Sequence, residues 1–146
     1  MFGVLLLIHL IAASIWTGGH IILSLIILPR VLKERSPERL LDFEQKYEKL
    51  GMPALILQVI TGFSMMHMML PDMSKWFQGG NPLSHLIIGK VILLGLTIAF
   101  ALDAKLRVLP NLTEDKLVDM ACHIIPVTIF SILFVVLGVG FRSGWL

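Results

Sequence analysis

The chain has 146 residues, of which 56% are hydrophobic and only 15% charged, with a net charge of +2. A water-soluble domain of this length carries about 25% charged residues, so the composition argues against one. The single cysteine, Cys122, excludes an intrachain disulfide and a multi-cysteine metal site.

Apolar residues come in four long blocks, about 2–28, 52–70, 83–103 and 118–141. Each approaches the roughly 20 residues that a helix needs to cross the hydrocarbon. None alternates residue by residue, so helices are expected and a barrel is not. The first block lacks the positive start of a secretory signal and is too long for a signal's apolar core. The reading is all-α: one domain, 1–146, folded as an integral membrane four-helix bundle.

Between the first two blocks lies Ser36-Pro37-Glu38, with Ser36 placed to cap a helix and Pro37 in its first turn. Leu40, Phe43, Tyr47 and Leu50 recur at helical spacing, and Gly51 and Pro53 follow. This predicts a short amphipathic helix over 37–50 on the cytoplasmic surface. The loop from Pro71 to Pro82, with Gly79-Gly80, reads as irregular. Thr113-Glu114-Asp115 reads as a helix start below the fourth block.

The cations orient the chain. Nine of the twelve (Arg30, Lys33, Arg35, Arg39, Lys46, Lys49, Lys105, Arg107 and Lys116) fall in the first and third connections. Lys75 and Arg142 lie on the other side, and Lys90 lies inside the third block. Cation-rich loops stay in the cytoplasm, which predicts both termini on the outer, periplasmic side of a bacterial inner membrane. The positive charge is thus an orientation signal, and no nucleic-acid partner is expected.

Ionisable residues within spans are functional candidates. Here they are His9, His20, His67, His85, Lys90 and His123. His9 and His20 are eleven residues apart, close to three turns, so they share a face with Trp16 and lie about 16 Å apart along the axis. That spacing suits two stacked sites, one in each leaflet, as for a pair of b-type haems held by histidines. By depth, His9 pairs with His85 or His67, and His20 with His123. Lys90 is placed either to snorkel or to meet a cofactor carboxylate; Arg30, Lys105 and Arg107 have the same choice at the inner boundary. Gly18, Gly19, Gly62, Gly89, Gly138 and Gly140 admit a flat macrocycle or close helix packing. A competing signal is Met65, Met66, His67 and Met69, soft ligands suited to Cu(I) at the outer mouth, or simply adaptable apolar filling.

HLIAASIWTGGH, VITGF, IIGKVILL and LDAKLRVLPNL, in this order, resemble the copper-resistance protein D (CopD) superfamily over nearly the whole chain. His9 seven residues before Trp16, Pro29-Arg30 and Lys90 are similar, more distantly, to the bacterial four-helix haem-associated protoporphyrinogen oxidases. The chain departs from these in a longer gap between Trp16 and Pro29 and in having no histidine two residues before Lys90. The first resemblance implies copper handling and the second haem. The leading expectation is a membrane b-type haem protein, with two haems, acting in transmembrane electron transfer or as a haem-dependent oxidoreductase. Lipid surrounds it, and its partner would be a quinone or another membrane redox carrier. The alternatives are a copper transport or resistance protein and a structural subunit of a larger complex; a homodimer is compatible with any of these.

Overall fold

The computed structural model describes residues 1–145. It is all-helical among the described residues, with four helices long and apolar enough to cross a membrane: α1 Phe2–Glu34, α2 Pro37–Met69, α3 Pro82–Asn111 and α4 Glu114–Ser143. They run alternately up and down. Both termini and the 70–81 loop therefore lie at one end, here the terminal end. The tight turn at 35–36 and the 112–113 link lie at the other, cation-rich end.

Each helix overshoots its apolar block. The largest departure from the sequence reading is α2, which is one continuous helix through Gly51 and Pro53 where an amphipathic segment was expected to stop at 50. Ser36 caps it, accepting the Arg39 backbone N–H at 3.4 Å, with Pro37 in the first turn. Pro53 removes one backbone donor, and a helix supported by neighbours tolerates that loss. Support comes from α1, which lies along much of α2. At 33 residues, α2 is about 50 Å long, against roughly 30 Å of hydrocarbon.

Two helices contain a widened π-turn, Leu23–Ile27 in α1 and Ala104–Val108 in α3. Each lies just before a proline, Pro29 or Pro110. A proline ring crowds the carbonyl four residues earlier, and a turn bonded at five-residue spacing makes room for it. The 70–81 loop is more ordered than its sequence suggests. Met73–Lys75 forms a 3-10 turn, and Trp76 is buried with its indole N–H on the Leu70 carbonyl at 2.8 Å. The Ser74 hydroxyl and backbone N–H both donate to Asp72, holding its carboxyl below its ordinary pKa.

Lipid is as apolar as leucine, so packing and hydrogen bonds drive helix association in a membrane. The interior follows that rule. Thr61, Ser84, Thr97, Thr128 and Ser131 are buried, while many Leu, Ile and Val side chains face outward. Thr97 and Thr128 donate to carbonyls four residues back, at 2.8 Å each. The main apolar cluster is confined to the cation-rich end, around Leu23, Leu28, Val31, Leu40, Val108 and Leu117. α1 packs on α2 and on α4, and α3 packs on α4. α2 and α3 share no comparable interface, so the bundle has a lateral cleft between them.

Candidate functional site

Two cavities open along that cleft. The larger, about 560 Å³, fills the terminal end between all four helices. Its walls are apolar, with Phe2, Phe63, Phe134 and Phe141 among them. The ionisable and amide side chains among its lining residues are His9, Gln58, Lys90 and Arg142.

His9 is fixed by α2. Its Nδ1 lies 2.9 Å from the Thr61 hydroxyl oxygen, and that hydroxyl donates its only hydrogen to the Leu57 carbonyl at 2.6 Å. Thr61 must therefore accept, so Nδ1 carries the proton and Nε2 keeps a bare lone pair. Buttressing one imidazole nitrogen in this way leaves the other free as a metal ligand. Gly62 makes room for the ring: a Cβ there would lie 3.3 Å from His9 Cε1. Lys90 makes no ion pair or hydrogen bond among the described residues, and a Cβ at Gly138 would lie 3.6 Å from its Nζ. Gln58 Oε1, buried in the same wall, also has no partner. Unpaired buried polar atoms are rare in native interiors, and Gln58 Oε1, the one such side-chain atom among the described residues, lies in this cavity's wall.

The smaller cavity, about 110 Å³, lies toward the cation-rich end and is lined by His20, Glu44, Tyr47, Phe100, Lys105 and His123, among others. Trp16 lines both cavities. Its ring centroid is 4.3 Å from that of His20, so aromatic groups link the two spaces. His20 Nδ1 donates to the Trp16 carbonyl at 2.9 Å, and the Tyr47 hydroxyl donates to the same oxygen at 2.9 Å. His20 Nε2 has no partner among the described residues. Tyr47 fits against α1 because of Gly19, where a Cβ would fall inside the phenol ring.

His123 differs. Its Nδ1 donates to the Asp119 carbonyl at 2.8 Å, and its Nε2 lies 2.6 Å from Asp103 Oδ2. Both ring nitrogens are thus engaged. Arg107 joins Asp103 to Asp119, at 2.8 and 3.0 Å, and Lys105 pairs with Glu48 across the cleft. Neither cation stands free for a second cofactor.

The structure brings His9, Trp16 and Lys90 to one cavity, and His20 and His123 to the other. It does not bring His9 to His85 or His67. Both of those are exposed and lie outside the cavity lining, His85 beside Gly79 in the loop. Met65, Met66 and Met69 line the larger cavity, whereas His67, on the same helix, turns away. No group of three or more His, Cys, Asp or Glu able to hold a metal occurs among the described residues. Sequence reasoning missed Thr61, Gln58, Tyr47, Glu44, Asp103 and Asp119. Asp103–Arg107 and Asp119–His123 carried a signal, since both are pairs at four-residue helical spacing.

A macrocycle the size of haem suits the larger cavity, which lies within the roughly 300–1,000 Å³ usual for bound cofactors; its bare imidazole and unpaired cation match iron and a carboxylate. The smaller cavity does not fit one. No protein family, curated protein or solved structure matches the chain.

Proposed function

We propose that this chain is a haem-binding protein of the bacterial inner membrane, holding one b-type haem in the larger cavity and serving in transmembrane electron transfer. The observation that carries the reading is the pairing of a bare His9 Nε2 with an unpaired Lys90 in one apolar cavity of about 560 Å³. His9 would hold the iron, and Lys90 and Arg142 would meet the carboxylates. The thioethers of Met65, Met66 and Met69 are soft donors in the same walls. Bound haem supplies one-electron chemistry, while the chain sets its ligation and excludes water. Trp16 and His20 line up from this cavity toward the other end. Membership of the copper-resistance protein D superfamily belongs to the same proposal, on the motifs of α1 to α3. So does the orientation, termini periplasmic, on the nine-to-two cation count. Strong cytoplasmic activity of a reporter fused after the last residue would reverse it.

The test is an absorption spectrum with metal analysis of the purified protein. A Soret band with about one haem per chain is expected, lost in His9→Ala and kept in His67→Ala and His85→Ala. The three methionines in the same walls favour a second reading, Cu(I) handling. Retained copper without haem would establish that reading in place of the first. A chain holding neither would be a structural subunit.

A further inference from the structure

The smaller cavity is left without an occupant by a one-haem reading, yet it is built like a site. His20 is 8% exposed, and its Nε2 has no partner. The Glu44 carboxylate, in the same wall, makes no ion pair or hydrogen bond among the described residues. The faces of Trp16, Tyr47 and Phe100 enclose the space with the apolar side chains of Leu23 and Val127. At about 110 Å³ it admits a single substituted ring of on the order of eight heavy atoms, since one water needs roughly 10–15 Å³ of such volume.

The chemistry of the walls narrows the ligand. No three-residue metal-donor group is present among the described residues. Glu48 is paired with Lys105, so Glu44 is the wall's carboxylate without a cation partner among the described residues, and it disfavours an anion. A neutral ring bearing hydroxyl groups would donate to the Glu44 carboxylate and to His20 Nε2, which is an acceptor because Nδ1 carries the ring proton, and would have the aromatic rings as stacking partners. Access is lateral, because the cavity sits where α2 and α3 do not pack, between 44–52 and 100–109. Met52, in its wall, is 41% exposed. An apolar tail can leave by that route into the hydrocarbon.

We propose that this cavity binds the head ring of a lipid-soluble para-hydroquinone, its hydroxyls donating to His20 Nε2 and to the Glu44 carboxylate, with its tail in the lateral cleft. The proposal goes beyond the haem reading and uses a different cavity, so it stands or falls separately.

The experiment titrates the full-length protein in nanodiscs, under reducing conditions, with a short-tailed benzohydroquinone and follows quenching of tryptophan fluorescence, to which Trp16 in the cavity wall contributes. Saturable quenching is expected; Glu44→Gln should weaken it by about tenfold, because a neutral acceptor replaces a charge-assisted one, and His20→Phe by about tenfold or more, the loss of one hydrogen bond to a buried polar group. Ala101→Phe, which fills the cavity from α3, should abolish saturation while the melting temperature and haem content stay at wild-type values. His9→Ala should leave hydroquinone affinity unchanged, separating this site from the haem proposal. Non-saturable quenching in the wild type, or equal affinity in Glu44→Gln and Ala101→Phe, would overturn the site. Equal competition by a tail-only alcohol would overturn ring recognition.

Discussion

The two ends of this bundle are built on opposite plans. At the cation-rich end, Leu28, Val31, Leu40, Val108 and Leu117 are 3% exposed or less and close the helices into a solid core, with Asp103, Arg107, Asp119 and His123 interlocked beside it. At the terminal end the same four helices stand apart around about 560 Å³, and polar groups on the walls lack partners. Contacts between helices, not burial from water, hold a membrane bundle together. A ligand in the hollow half would restore such contacts. The packed half can therefore be read as the scaffold and the hollow half as the site.

That division is sharpened most by damage to the scaffold. Leu117→Ala, at a position 1% exposed, should cost about 2–4 kcal/mol of stability through the void it leaves. The occupancy of the larger cavity, measured per folded chain, should not change. A stable Leu117→Ala protein in a denaturant titration would show that the cluster is not what holds the helices. Next comes filling the hollow half. Gly62→Leu presses on the His9 ring, so haem content per chain should fall by about tenfold, the loss expected when a ligand is displaced from good geometry. The melting temperature of the haem-free protein should be equal or higher, because added side chain occupies empty volume. Full haem content in this variant would place the cofactor elsewhere. The smallest effect is expected at Arg107→Gln. Arg107 is exposed, and exposed ion pairs contribute little. Its unfolding midpoint should match the wild type within error; a large drop would make the charged cluster, and not the apolar one, the keystone of that end.

Much of this was legible in the residues. Four apolar blocks leave few choices of architecture, because lipid forbids unpaired backbone. His9, Trp16 and His20 share a face by helical spacing alone, and the structure turns all three inward. The rotation of the other helices was not legible. In a soluble helix the apolar side reveals the core, but here the lipid-facing side is as oily as the interior. Nothing in MMHMML indicates that Met65, Met66 and Met69 face the cavity while His67 faces away. His85 escaped for the same reason. Partners chosen by depth alone, such as His9 with His85, thus had no guide to direction. Thr61 looked like any small residue of a tight helix, although its hydroxyl decides which nitrogen of His9 is free.

The π-turn of α1 acts as a one-residue shift in the reading of the helix face. Ala12, Trp16, His20 and Leu23 are buried at steps of three or four; the next buried residue, Leu28, comes after a step of five, and Val31 follows. Above the shift the inward stripe carries the chemistry, and below it the inward stripe is wholly aliphatic. Closing this turn to ordinary α-helix with every residue kept would remove the shift. The helix's lower third would then turn by about 100°, carrying Arg30 toward the place of Val31 in the middle of the apolar cluster. The extra residue thus sets the angular phase between a scaffold and a site that share a single helix.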